Sequence, residues 1–227
     1  MLKDFVSLIF PTICASCGKS LYKNEQSICL YCCYNLPKTN YHLQTENPVT
    51  TLFWGRVAVY SAAAYFNFGK GGKVQHLIHE LKYKGNQEVG ITLGKMYGVD
   101  LAQSDLFNSV SVIIPVPLHA KKLKKRGYNQ SECFAKGLAE TMAVAVDLKT
   151  LIRAKASETQ TKKSRFSRWK NVETIFQLKE NKSLQGKHIL LVDDVITTGS
   201  TLEACVQTLL QIPDVKISIA TIAYANH

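Results

Sequence analysis

The stretch Lys187 to Cys205, K-H-I-L-L-V-D-D-V-I-T-T-G-S-T-L-E-A-C, constrains the fold more than any other part of the chain. Ile189 to Val192 form an unbroken apolar run, bounded by Gly186 upstream and a turn downstream, as expected of a strand buried on both faces of a parallel sheet. Such a strand belongs at the centre of its sheet. Asp193 and Asp194 stand where that strand should end, and open α/β sheets bind their ligands outside the carboxyl ends of the strands. Thr197-Thr198-Gly199-Ser200-Thr201 come next, followed by Leu202, Val206, Leu209 and Leu210 at helical spacing, so the turn opens a helix.

That turn has the chemistry of a phosphate cradle. Free N–H groups at a helix start attract anions, Gly199 lets backbone approach a ligand closely, and three Thr and one Ser hydroxyls add donors. Two carboxylates beside it suit ribose hydroxyls with a divalent metal, or a reaction that develops positive charge. A Walker B strand needs a G-x-x-x-x-G-K-[ST] partner, and every Gly-Lys pair in this chain lacks the upstream glycine. A phosphorelay receiver carries its acidic pair near the first strand, whereas little more than one helix and one strand follow Asp194. The plain structural alternative is that the acids cap a loop and the hydroxyl run caps a helix.

Cys14-Ala-Ser-Cys17 and Cys29-Leu-Tyr-Cys32 are two C-x-x-C pairs separated by eleven residues. Each pair can offer two thiolates from one tight turn, and together they complete a tetrahedral four-cysteine site for structural zinc. The seven cysteines are an odd count with no secretory signal, which argues against disulfides. Cys33 competes for the fourth position, but Cys32 keeps the two-residue gap. Cys133 and Cys205 fall in helical patterns and read as buried thiols.

The chain of 227 residues is 46% hydrophobic, enough for one α/β domain with a small appendage. It has no apolar stretch of membrane-spanning length, so we expect no membrane span and a cytoplasmic, soluble protein. A net charge of +11 favours a polyanionic partner, either nucleic acid or a multiply phosphorylated substrate.

Residues 38–56 are polar and turn-rich and read as a linker, which divides the chain into a zinc element with linker, 1–48, and a main domain, 49–227. Val57 to Phe68 predicts one or two strands, Lys73 to Lys82 a helix carrying Val74, Leu77, Ile78 and Leu81 on one face, and Ile91 to Leu101 another helix. His76 and His79 read as packing or surface residues. Lys82-Tyr83-Lys84-Gly85 fits either a ligand-facing lysine or a basic helix end before a glycine cap. Ser111 to Ile114 is a second apolar run, and the prolines of Pro115-Val116-Pro117-Leu118-His119 end that strand and stiffen the loop above it. Five cations follow within six positions: Lys121, Lys122, Lys124, Lys125 and Arg126. These bind phosphates of a substrate or of single-stranded DNA, or form a solvated helix face. Residues 151–172 lack a period and carry seven Lys and Arg against one Glu, a pattern read as a mobile lid. Lys216 to Ala225 predicts a final strand.

V-D-D-V-I-T-T-G-S-T, from Val192 to Thr201, resembles the PRPP (5-phosphoribosyl-1-pyrophosphate) loop of type I phosphoribosyltransferases. The four cysteines with Leu36-Pro37, the Lys-Tyr-x-Gly segment and P-V-P-L-H…R-G-Y-N-Q resemble the ComF (GntX-like) competence family across nearly the whole chain. The resemblance implies a doubly wound parallel sheet with an N-terminal zinc element. It also implies that Val192, Asp193, Asp194, Thr197, Thr198, Gly199, Ser200 and Thr201 meet the ribose and 5′-phosphate of PRPP. By the same resemblance, Val116, Pro117, Leu118 and His119 form a pyrophosphate loop, and Arg126 stabilises the leaving group. Arg153, Gln160, Arg168 and Asn171 match a patterned lid segment, where Lys155, Ser157 and Lys163 depart from the residues usual in the family. The implied chemistry is pyrophosphate displacement from PRPP with Mg2+, in a transferase or, without turnover, a PRPP-sensing regulator. The competence association implies a third reading, a DNA-uptake protein that meets single-stranded DNA through Lys121, Lys122, Lys124 and Lys125 and works with other competence proteins.

Overall fold

The computed structural model describes residues 11–153, 175–179 and 182–225. A short helix α1 (Leu30–Asn35) belongs to the cysteine-bearing segment, and two 3-10 turns, Tyr41–Leu43 and Thr50–Phe53, lead into strand β1 (Ser61–Asn67). Then come α2 (Lys73–Tyr83), α3 (Gln87–Ala102), β2 (Val112–Pro115), α4 (Ala120–Arg126), α5 (Gln130–Met142) and β3 (Ala145–Val146). An antiparallel pair of β4 (Leu151–Arg153) and β5 (Phe176–Leu178) precedes β6 (His188–Ile196), α6 (Ser200–Leu209) and β7 (Lys216–Tyr224).

The main sheet has the order β1-β7-β6-β2-β3, and all four of its strand pairings are parallel. Strand β6 is its centre. Its apolar run explains the placement, because a parallel strand covered on both faces has no polar side to present. Leu190 and Val192 enter one core with α2, α3 and α5, while Ile189 and Leu191 enter the other with α6 and the 50–53 turn. Alternation along β7 repeats the division: Ala220 and Ile222 go to the first core, Ile217 and Ile219 to the second. Each such leucine, isoleucine or valine side chain, when fully buried, stabilises the fold by about 1.5–3 kcal/mol.

Helices α3 and α5 touch backbone to backbone. A Cβ on Gly137 would sit 2.0 Å from the Ile91 carbonyl oxygen, and one on Gly94 would sit 2.3 Å from that of Phe134. The seam locks together the two helices of the first layer, one of which opens onto the site described below.

One expectation is narrowed and one is revised. The Val57 to Phe68 stretch yields one strand, beginning at Ser61 and preceded by a Tyr60 N–H donated to Ile217 O at 2.7 Å. Residues 38–56 are packed structure more than a linker: Val49 and Phe53 are fully buried, and Asn47 donates its side-chain amide to Ala62 O at 2.9 Å. Its polarity misled because the polar groups of Asn47 and Thr50 are spent on the turn itself. No helix among the described residues is long and apolar enough to cross a membrane.

Candidate functional site

From β2 the chain moves outward to β3, and from β6 it moves outward the other way to β7. The neighbouring strands β2 and β6 therefore flank the point where strand order reverses, and a crevice forms there at their carboxyl ends. The Val116 N–H donates to Val192 O at 2.9 Å, so the proline loop rises beside the acidic pair. Asn129 holds that loop in place, donating from Nδ2 to Val116 O at 3.0 Å while its Oδ1 caps α5 at Ser131 N.

The adjacent acids find opposite company. Asp194 is buried, and its Oδ1 lies 2.9 Å from Lys82 Nζ, which reaches across from the end of α2. Asp193 Oδ1 accepts from Ser131 Oγ at 2.7 Å and from the Asp194 N–H at 2.8 Å. Burial, followed by the neighbouring Asp194 charge, pushes the Asp193 carboxyl up to about 7, against the pull of those donors and of Lys82. Asp193 is thus a carboxylate held where it needs a further cation or donor.

Beside it, Thr197, Thr198, Gly199, Ser200 and Thr201 line a small cavity with Asp193. Gly199 sits at φ 75°, and a Cβ there would come within 3.2 Å of the Phe53 ring, so both conformation and space demand glycine. Ser200 and Thr201 in its lining begin α6, so the first-turn N–H groups that lack an intrahelical acceptor lie beside this cavity. Arg56 pins the loop from behind: Nη1 donates to Thr198 O at 2.9 Å and to Leu52 O at 2.8 Å, and Nη2 pairs with Glu203 in the first turn of α6.

The central crevice, about 220 Å³, is lined by Val116, Pro117, Leu118, Arg126, Arg153, Asp193, Asp194 and Thr201, together with Lys82, Tyr83, Lys122, Gln130 and Ser131. His119 does a different job, accepting from Lys121 N at 3.2 Å as the cap of α4. Lys121 and Lys124 do not line the crevice. Gln160, Arg168 and Asn171 lie outside the described residues.

Sequence reasoning missed Ser131 and Arg56. The first carries no local signal, since only the approach of α5 to β6 brings it to Asp193. The second stood in a stretch read as linker. For Lys82 two readings were open, and the pairing with Asp194 places the side chain in the crevice.

At the other end of the first core, Cys14, Cys17, Cys29 and Cys32 bring their sulfurs within 4.8 Å of one another, a set that could hold a metal ion. The Cys29 N–H donates to Cys14 Sγ at 3.3 Å, and Cys17 and Cys29 sulfurs are 3.8 Å apart. Burial resists ionisation of Cys14, but N–H groups of Cys29, Cys17 and Ser16 prevail and bring its thiol down to about 7. Burial pushes Cys32 up to about 12. One thiolate forms readily, and four together require a cation. Cys33 is turned aside, its thiol directed to Ile28 O.

Residues 129–227 match the phosphoribosyl transferase domain family. The chain is 27% identical over 206 residues to DNA utilization protein YhgH of Escherichia coli strain K12, covering 88% of this chain and 84% of the relative. Competence protein F of Haemophilus influenzae is 29% identical over 153 residues, 66% of this chain and 67% of its own. Competence protein ComFC of Bacillus subtilis is 29% identical over 146 residues, 61% of this chain and 54% of its own. With a parallel sheet that carries its acidic pair and hydroxyl loop at the strand-order reversal, the chain has a type I phosphoribosyltransferase fold and is similar along most of its length to competence and DNA utilization proteins of the ComF kind.

Proposed function

We propose that the crevice binds PRPP with Mg2+ and that the protein acts as a phosphoribosyltransferase in DNA uptake. The observation that carries this is the join of two complementary halves at one strand end: the hydroxyl-lined anion cavity at 197–201 and the carboxylates Asp193 and Asp194 beside it. In this reading the cavity holds the 5′-phosphate on the N–H groups of α6, and the acids receive the ribose hydroxyls and stabilise positive charge as the anomeric bond loosens. The 2.9 Å pairing of Lys82 with Asp194 supports it, because ribose hydroxyls arriving at Asp194 free that ammonium for the pyrophosphate. Arg126, Lys122 and Arg153 face the same crevice and offer further charge to the leaving group. Mg2+, when bound, neutralises pyrophosphate oxygens and makes them a better leaving group. The competence and DNA utilization names of the relatives support the setting in DNA uptake.

We assign zinc to the four cysteines. Tetrahedral Zn–S bonds of about 2.3 Å require sulfurs roughly 3.8 Å apart, and Cys17 and Cys29 have that separation. Four thiolates leave no position for substrate, so the metal serves folding of the 1–48 element beside the 49–227 domain. Seven free cysteines suit the reducing cytoplasm.

The test is calorimetric titration of the zinc-loaded protein with PRPP and Mg2+, beside the Asp193→Ala/Asp194→Ala variant. Binding by the wild type alone supports the assignment. A folded wild type that takes up no PRPP overturns it.

A further inference from the structure

A second chamber of about 330 Å³ adjoins the crevice, walled by Lys82, Tyr83, Gly85, Lys122, Lys125 and Arg126. Its wall residues carry four cations and no acid, since the carboxylate that pairs with Lys82 belongs to the inner crevice. Tyr83 is left 69% exposed at the end of α2, with the Arg126 guanidinium 5.6 Å over its ring. Gly85, at φ 75°, turns the chain just after α2 in a conformation that favours glycine.

We infer that this chamber binds the acceptor, and that the acceptor is a nucleotide: a planar base that carries its own phosphate. The inference rests on the PRPP reading of the inner crevice, which shares Lys82, Tyr83, Lys122 and Arg126 with the chamber. A neutral base is recognised at its edge by paired donors and acceptors between apolar walls. Here the side chains are three ammonium groups, a guanidinium and one phenol, so nearly everything they offer is a donor with charge. Such a set selects an anion. The ring and guanidinium supply the flat surfaces on which a base stacks, a contact that tolerates any of the four bases. A free mononucleotide and the phosphorylated end of a single strand share this chemistry.

The full-length, zinc-loaded protein, with and without saturating PRPP and Mg2+, is titrated calorimetrically with the four 5′-mononucleotides, the matching nucleosides and a 5′-phosphorylated single-stranded oligonucleotide. The nucleotides are expected to bind at least about ten-fold more tightly than the nucleosides, because charge-assisted phosphate contacts carry the site. Lys125→Ala is expected to weaken nucleotide binding about five-fold and leave PRPP affinity unchanged, and Tyr83→Ala to weaken it by a similar factor. Tighter binding of the oligonucleotide assigns a strand end, and equal binding assigns the free nucleotide. Nucleosides that bind as well as nucleotides overturn the proposal. So does competition between nucleotide and PRPP, which makes the chamber part of the pyrophosphate subsite. Nucleotide binding without any PRPP binding sinks the PRPP reading and leaves the nucleotide site standing.

Discussion

The cysteine cluster and the acidic crevice both crowd groups that repel one another when charged, yet they are assembled from different distances along the chain. Four sulfurs come from one tight turn and the start of one short helix within nineteen positions, Cys14 to Cys32, each setting its own pair. The crevice draws Lys82, Ser131 and Asp193 from α2, α5 and β6. Unfavourable charge in the first would be relieved by the metal proposed for the four thiols. In the second it is relieved by neighbours that only the tertiary fold delivers. Metal loss should therefore be felt as loss of folding, and ligand-site changes as gain of folding with loss of binding.

The largest effect expected is from zinc. Structural zinc contributes about 10–16 kcal/mol in isolated finger peptides, and the cluster here shares its core with α2 and α3. Chelation, or Cys32→Ser, should lower the melting temperature by more than about 10 °C. A melting curve unmoved by chelator breaks the comparison on the cysteine side. The opposite sign is expected at Asp193→Asn. This carboxyl is held up at about 7, so it binds more protons folded than unfolded between about 4 and 7, and the wild type loses stability as pH rises through that window. The variant keeps the acceptor for Ser131 and removes the charge. It should bind PRPP at least about 100-fold more weakly and yet be more stable by about 2–4 kcal/mol at pH 8, with little gain at pH 4. Denaturation at both pH values checks this, and an equal gain at each breaks the comparison on the crevice side.

Gly137→Ala tests the seam between the two regions. Its Cβ would meet the Ile91 carbonyl at 2.0 Å, forcing α3 and α5 apart. We expect a loss of about 2–3 kcal/mol by chemical denaturation, together with weaker PRPP binding because Ser131 moves with α5. His188 supplies a control far from both sites. It is buried between Ser109 and Ser218, and burial, then Lys216, lowers it to about 4. The unfolded chain takes up the proton first, so stability should fall by about 2–3 kcal/mol as pH drops from 6.5 to 4. His188→Gln should flatten that slope in the pH dependence of the denaturation midpoint. Arg56→Ala is the smallest: loss of its grip on Thr198 O should weaken phosphate binding about five-fold, or roughly 1 kcal/mol. Adding Glu203→Gln should recover part of that, since the unpaired carboxylate stands one turn from the anion cavity.

Much of this was legible locally. Period and composition located β6, α6, α2, α3 and β7, and the proline loop, because strand burial and helix faces are written in neighbouring residues. Cysteine spacing located the cluster for the same reason. The 38–56 segment was misread as linker because its polar side chains serve its own turns while only a few apolar residues, Val49 and Phe53 foremost, enter the core. Ser131 and Arg56 carry no signal at all in one dimension.

The sequence by itself determined which groups exist at each strand end: an acidic pair, a hydroxyl loop that opens a helix, a run of cations, four thiols. These follow from side-chain periodicity and turn chemistry, which act over a few residues. Only the tertiary structure decided which of two adjacent carboxylates meets an ammonium and which a hydroxyl, and that an arginine from a supposed linker braces the hydroxyl loop. Those outcomes depend on the strand order β7-β6-β2 and on helices that cross the sheet, and so on contacts between residues 62 to 147 positions apart.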